Sequence, residues 1–470
     1  MSINVSTEYM EIEEDSASRR LVLEEFERRK KGRQIPVSVD DAEVKSQLRQ
    51  LNQPICIFGE GPADRRERLR QLLTRLGEDA IKKTKDEEKV DEKERDPNTT
   101  WYHEGPNSLK AARIWLAEYS IVRARERLER ARKTKSMPET TRNNLNQELY
   151  KKLHTFEIEC SQVGDARPLS FCRFSPDSMM IATASWSGQC KLWSRVSLDL
   201  RKTFRGHNGR ACSIVFHPKA TISQSPTALN LASSGIDGSV CLWSMENEFS
   251  LRNLDGHQPH RVSRVSFHPS GRFLGTCCDD RSWRLWDLEV NEEILFQEGH
   301  SKGVYDIDFH PDGSLAATGG LDAFGRVWDL RTGRCIMFME GHLKGITSVS
   351  ISPNGYQVIT GSMDNTVKIW NLRQRRCEYT IAAHNNIVSG VQFEKDQGRF
   401  IVSSSYDNSI KVWAHPNWTR IAELNGHDNK VMGIDIAADN HSILSCSFDR
   451  TFKLWSQSWQ PKSSTQNKDN

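Results

Sequence analysis

From residue 156 to 458 the chain alternates short apolar, β-branched runs with polar turns, and the runs recur in a fixed register. Runs such as Lys191-Leu-Trp193, Val327-Trp328 and Lys453-Leu-Trp455 end in tryptophan. Trp193, Trp243, Trp286, Trp328, Trp370, Trp413 and Trp455 lie 50, 43, 42, 42, 43 and 42 residues apart. A period of about 40–45 residues ending in Trp predicts a mainly β fold of seven four-stranded propeller blades. Phe267-His-Pro-Ser-Gly271, Phe309-His-Pro-Asp-Gly313 and Ile351-Ser-Pro-Asn-Gly355 read as turns, because Pro presets φ and Gly permits positive φ. The long interval, from Trp193 to Trp243, is accounted for by the polar segment Lys219 to Asn230, expected to be a surface loop. After Trp455 no apolar run remains for an outer strand. The segment from Phe156 to Val163 is expected to supply it, leaving no open sheet edge.

Polar residues recur as strictly as the tryptophans. Six repeats carry a histidine, then a Ser or Thr, an Asp four residues later and a Trp six beyond. They are His207, Ser233, Asp237 and Trp243; His257, Thr276, Asp280 and Trp286; His300, Thr318, Asp322 and Trp328. The series continues with His342, Thr360, Asp364 and Trp370; His384, Ser403, Asp407 and Trp413; His427, Ser445, Asp449 and Trp455. The first repeat has Asp165, Thr183 and Ser187, so only Thr183 and Trp193 keep the pattern. These sets resemble the buried hydrogen-bonded tetrad of WD40 repeats, a network that is stable when every member is satisfied. A catalytic triad is needed once, beside a pocket, whereas this set recurs six times, so the reading is structural and not hydrolytic. The residue before each turn Asp should project on the histidine side. Trp186, Leu321, Met363, Tyr406 and Phe448, with Ile236 and Asp279, are expected to form a protein-binding ring.

The first 155 residues follow the helical period instead. Residues 1–34 comprise an acidic start and a charged helix from Ser18 to Lys31, ending in the basic run Arg28-Arg-Lys-Lys-Gly-Arg33, a candidate nuclear-localisation signal. Residues 35–79 predict a helical module. Asp40 is its first N-cap, with Glu43 at the capping-box position, and Pro62 and Gly77 bound a second helix. Leu69, Leu72, Leu73 and Leu76 make one face of that helix, with Ile55, Ile57 and Phe58 nearby and arginines opposite. This set is too small for a core of its own and is expected to fold on, or dock to, a protein partner. Gly59-Glu-Gly61 lacks the Lys-Ser/Thr of a phosphate loop and reads as a tight turn. Residues 80–100 form a mixed-charge linker. Residues 101–155 hold two amphipathic helices, Ser108 to Lys135 and Thr140 to His154. The first carries an Ala112, Trp115, Leu116, Tyr119 stripe and a crowd of arginines. Such helices must bury against the propeller or a partner. Residues 459–470 are a polar tail.

Composition narrows the class. Sixty-five basic against 62 acidic residues give a net charge of only +3, so no global field for nucleic acid is implied. The 11 cysteines show no CxxC spacing, as expected of reduced thiols and not of zinc ligands or disulfides. No run of about 18 apolar residues and no signal peptide is present, so no membrane segment is expected.

Four segments carry a more specific likeness. Leu51-Asn-Gln-Pro-Ile-Cys-Ile-Phe-Gly-Glu-Gly-Pro-Ala-Asp-Arg-Arg-Glu-Arg-Leu69 and Trp101-Tyr-His-Glu-Gly-Pro-Asn-Ser-Leu109 lie in the N-terminal part. Asp279-Asp-Arg-Ser-Trp-Arg-Leu-Trp-Asp287 and Gly319-Gly-Leu-Asp-Ala-Phe-Gly-Arg-Val-Trp-Asp329 lie in the repeats. Together they resemble the pre-mRNA-processing factor four family of U4/U6 small nuclear ribonucleoprotein WD40 proteins, over Ser18 to Trp455. The resemblance implies a nuclear, non-catalytic scaffold of the U4/U6 di-snRNP and U4/U6-U5 tri-snRNP, without cofactor or metal. Its implied partners are pre-mRNA-processing factor three, a cyclophilin-type prolyl isomerase on residues 40–77, and U4/U6 snRNA within the particle. A generic WD40 adaptor, such as a ubiquitin-ligase substrate receptor, is the alternative. A fold hosts many functions, so the choice rests on the N-terminal motif.

Overall fold

The computed structural model describes residues 35–76 (apart from Asn52, Cys56, Phe58 and the side chain of Leu76), residues 107–457, and the isolated positions Leu23 and Lys30. The acidic start, the basic run, the charged linker, the segment around Trp101 and the polar tail lie outside the described residues. The chain divides into two compact units, with the boundary at Glu104.

Within the first unit, α1 (Asp41–Gln50) and α2 (Pro62–Leu76) form the helical module. Asp40 caps α1 through a 3.1 Å bond from the Ala42 amide. The expected capping box does not close. The Asp40 amide donates to Ser38 Oγ at 3.2 Å instead of to Glu43. Gly59 sits at φ +80° in a turn closed by the Glu60 amide on the Ile57 carbonyl at 3.1 Å.

The expectation that this module lacks a core is corrected. Val44 and Leu48 of α1 face Leu69 and Leu73 of α2, and all four are at most 5% exposed, with Ile35 closing one end. One charged link joins the helices and a second ties α2 to the loop that precedes it. Arg65 pairs with Asp41, and the Arg68 guanidinium clasps both carboxylate oxygens of Glu60 at 2.6 and 2.9 Å. Two short amphipathic stripes that face each other bury apolar area neither could bury alone.

The second unit is a closed ring of seven antiparallel four-stranded sheets, preceded by α3 (Asn107–Ser136) and α4 (Glu139–His154). The middle strands read as unbroken buried runs, for example Gln357–Ser362, because both faces pack on neighbouring blades. The last blade is completed from outside its own repeat. β1 (Phe156–Val163) pairs antiparallel with Thr451–Gln457, from Phe156 opposite Gln457 to Val163 opposite Thr451. The insertion after Lys219 is a tucked loop. The Asn230 side-chain amide donates to the carbonyls of Ser225, Pro226 and Ala228, and Ala220 is fully buried.

Successive turns of an antiparallel sheet lie at opposite ends, so the ring has a tetrad face and a His-Pro-turn face. Both α3 and α4 pack on the second. Trp115 meets the Phe273 ring edge-on at 5.5 Å and stacks on Tyr119 at 5.2 Å. Further along α3, Arg123 donates to the Pro311 carbonyl at 3.0 Å, and Arg127 bonds both Asp312 oxygens and the Asn354 carbonyl. The helix therefore ties the third, fourth and fifth blades. From α4, Leu153 enters the core of the sixth and seventh blades, and the Tyr150 hydroxyl donates to the His415 carbonyl.

Candidate functional site

Each tetrad joins a histidine from the loop entering a blade, a hydroxyl on the second strand, an aspartate in the following turn and a tryptophan on the third strand. In the fifth blade His342 Nε2 lies 2.7 Å from Thr360 Oγ1, which also accepts the Trp370 indole N–H at 2.9 Å. His342 Nδ1 lies 2.9 Å from Asp364. The proton order that satisfies every group runs from indole N–H to hydroxyl, from hydroxyl to Nε2, and from Nδ1–H to carboxylate. Asp364 also accepts the amides of Leu343 and Thr366 and the Thr366 hydroxyl, and its carboxyl is held well below the usual range: burial opposes ionisation, but these bonds outweigh it. The sixth blade (His384, Ser403, Asp407, Trp413) and the seventh (His427, Ser445, Asp449, Trp455) repeat this geometry.

The other blades vary it for physical reasons. In the fourth, Asp322 bonds His300 Nδ1 with both oxygens, at 3.2 and 3.1 Å, beside Thr318 and Trp328. In the second, His207 bonds Ser233 at 2.6 Å and reaches Asp237 through Ser239, while Trp243 donates to Ser233. In the third, His257 bonds Thr276, which accepts Trp286, but Arg284 draws Asp280 away at 3.1 Å. That leaves buried His257 Nδ1 without a hydrogen-bond partner. Burial lowers both His207 and His257 to about 4, so both are neutral at physiological pH. His257, Cys278 and Asp280 are the only metal-like donor group among the described residues. Arg284 already pairs with Asp280 at 3.1 Å, and burial pushes the Cys278 thiol up to about 12, so a cation there would have to displace Arg284 and take the thiol's proton.

The sequence reading missed three features. Asp165 and Ser187 do meet in the first blade: the Ser187 hydroxyl donates to Asp165, and Lys191 pairs with it at 3.1 Å, while Thr183 accepts Trp193. A Ser or Thr two residues after five of the six aspartates (Ser239, Ser282, Thr366, Ser409, Thr451) donates to its carboxylate, a D-x-S/T spacing visible in the sequence. The histidines of the Phe-His-Pro turns act between blades. His217, His268 and His310 bond the carbonyls of Gly271, Gly313 and Gly355 on the next blade. Gly313 holds φ +79°, and a Cβ there would lie 2.5 Å from His268 Nε2, so glycine is required.

Trp186, Leu321, Met363, Tyr406 and Phe448 ring the tetrad face half-buried, with Ile236 and Asp279 exposed. Trp186 meets Phe448 edge-on at 5.1 Å and carries the Arg210 guanidinium 4.3 Å above its ring; Lys430 lies 5.1 Å over Tyr406. In the helical module Ile57 is 49% exposed, while Ile55 and Leu72 are half-buried. Leu69 and Leu73, expected as contact residues, are core residues of the module and are removed from the candidate surface. Phe58 lies outside the described residues.

Replacing Asp364 by Ala strands His342 Nδ1, two amides and the Thr366 hydroxyl. The expected cost is about 1–3 kcal/mol, read as a lower melting temperature. An unchanged melting temperature would remove the structural reading of the tetrad.

Comparison with known proteins follows the same division. Residues 44–72 match the family model described as pre-mRNA processing factor 4 (PRP4) like. The WD domain, G-beta repeat model matches seven times between residues 152 and 456. The chain is 60% identical over 457 residues to U4/U6 small nuclear ribonucleoprotein Prp4 of Mus musculus, covering 97% of this chain and 88% of that protein. The human protein of that name gives the same identity over 97% of this chain and 87% of its own. U4/U6 small nuclear ribonucleoprotein PRP4 of Saccharomyces cerevisiae is 40% identical over 435 residues, with 88% and 90% covered.

Proposed function

Since the chain belongs to the Prp4 family of U4/U6 small nuclear ribonucleoproteins and has a role in splicing, we propose that it serves as a non-catalytic, nuclear scaffold of the U4/U6 di-snRNP and U4/U6-U5 tri-snRNP. The observation that carries the reading is the pairing of a separately cored helical module, matched by the family model, with a rigid seven-bladed ring. Each tetrad is spent on its own blade, so the ring offers surface and no reacting group. Pre-mRNA-processing factor three and U4/U6 snRNA are the companions proposed within the particle. The aromatic and apolar ring on the tetrad face is the proposed protein-docking surface of the propeller.

The module is proposed to bind a cyclophilin-type prolyl isomerase through its outer side, where Ile57 is exposed and Ile55 and Leu72 are half-buried. Leu69 and Leu73 then position the surface from within. Titrating the purified isomerase against residues 35–80 and, separately, against residues 107–458 tests this. Binding is expected for the first fragment alone; binding confined to the second would overturn the assignment. Affinity purification of the whole chain followed by RNA sequencing is expected to recover U4 and U6 RNA. Recovery of complexes free of both would favour a generic adaptor.

A further inference from the structure

α3 uses only one side on the propeller. Ala112, Leu116 and Ser120 are buried there, four residues apart. On the outer side Ile114, Ile121 and Leu128 stand 54%, 64% and 38% exposed at seven-residue spacing. Ile121 and Leu128 line a shallow groove of ≈ 440 Å³, with Arg125, Glu129 and Arg132 on the helix and Ser314 and Arg331 on the fourth blade.

Positive charge predominates around the groove, with Glu129 its one acidic lining residue. α3 carries nine Lys and Arg against three Glu. Arg123 and Arg127 are consumed by propeller carbonyls and Asp312, whereas Arg125, Arg130, Arg132, Lys133 and Lys135 stay exposed. Arg125 meets only Glu129, at 3.2 Å, in an exposed pair that water screens strongly. The last turns of the fourth and fifth blades add exposed Arg373 and Arg375 on the same face, together with Arg331, whose guanidinium pairs with Asp329 at 3.0 Å.

We propose that this outer face seats one amphipathic helix of a protein partner, apolar along its centre and acidic along its edges. A seven-residue apolar repeat is the spacing at which one helix accepts the side chains of another laid alongside it. Phosphate groups would use the cations but leave Ile114, Ile121 and Leu128 without a partner. A second copy of the same helix would bring like charges together. Charge complementarity and apolar spacing therefore select one occupant. The proposal does not depend on the particle assignment above.

The test uses the full chain and a fluorescent synthetic peptide of about four heptads, with leucine at the core positions and glutamate at the flanks. The ordered peptide is expected to bind roughly tenfold tighter than a scrambled peptide of equal composition. Two variants, Ile121→Ser with Leu128→Ser and Arg125→Glu with Arg132→Glu, are each expected to lose roughly tenfold in affinity, the second effect shrinking at high salt. All four side chains lie on the exposed rim, so circular-dichroism melts should match the parent chain. A photo-crosslinker at Leu128 in the assembled particle is expected to mark an acidic amphipathic segment of another protein. The proposal is overturned if the scrambled peptide binds equally, if an oligouridine binds and survives the Ile121 and Leu128 changes, or if the crosslink lands on RNA or a second copy. A particle that assembles normally without that crosslink removes this inference and leaves the scaffold reading intact.

Discussion

A chain shortened to begin at Gly164 is expected to lose the cooperative unfolding of its propeller and to associate through the seventh blade. The shortening removes all of β1 and exposes the Thr451–Gln457 strand as a bare edge. It also removes Phe156 and Leu153, which are 6% and 0% exposed within the core of the sixth and seventh blades. Losing one buried Phe alone costs about 3–5 kcal/mol, and a whole domain holds only about 5–15 kcal/mol in reserve. The full-length Phe156→Ala variant separates packing from edge exposure. It should stay monomeric with a lower melting temperature, while the shortened chain elutes as oligomers or unfolds. Light scattering and thermal denaturation decide this. A monomeric shortened chain with an unchanged melting temperature would show that β1 does not close the ring.

Acid is expected to weaken the fold well above the pH at which carboxylates protonate. Burial lowers His207, His257 and His268 to about 4 in the native state, from an ordinary value of 6.5. The unfolded chain therefore binds more protons between those limits, and stability falls as pH drops below 6.5, levelling off below about 4. At pH 5 each of the three costs about 2 kcal/mol relative to pH 7.5. Asp308 acts in the opposite sense, since burial raises it to about 7 and its native form takes up a proton first. It offsets roughly one histidine, and Asp306, which burial also raises, acts with it, while His217, His300, His310 and His415, all lowered by burial, add to the histidine side, so the net effect of acid is destabilising. Melting temperatures across pH 7.5 to 5 should fall accordingly, and the slope should flatten in a His268→Gln variant. A flat profile in the parent chain would sink the idea.

Both predictions draw on features of unequal legibility. The blade count and the tetrad members could be read because they repeat at fixed offsets, the closing segment because no apolar run follows Trp455, and the bounds of α2 follow from Pro62 and the Gly77 stop signal. What failed is what depends on which surface an element faces. The α2 stripe looked unpartnered because nothing in its own spacing says that Val44 and Leu48 come back to meet Leu69 and Leu73. Arg123, Arg125 and Arg127 look alike in sequence, yet two reach down to the propeller and one points to water. The first blade's Asp165 stands at the histidine position of the repeat, as far before Trp193 as His300 is before Trp328, but an Asp there does not announce that it will bond Ser187 and Lys191 in place of the lost tetrad. The diversion of Asp280 by Arg284 was likewise hidden, since only distance decides which of two donors a carboxylate chooses.

The splint formed by α3 and α4 reaches from the third blade to the sixth and seventh, on one face of the ring. The first and second blades lie off that splint, and the first is the blade whose tetrad has lost its histidine. A ring braced over one arc and left bare over the other does not breathe evenly. Its elasticity gathers in the unbraced arc, beside the junction where β1 meets the last repeat. Amide protons of the strands Leu169–Phe174 and Ala211–Phe216 should then exchange sooner than those of Val304–Phe309 and Ile346–Ile351, although all four are inner strands of the same ring. Any partner that grips the ring across that arc would stiffen the one stretch the chain itself leaves compliant.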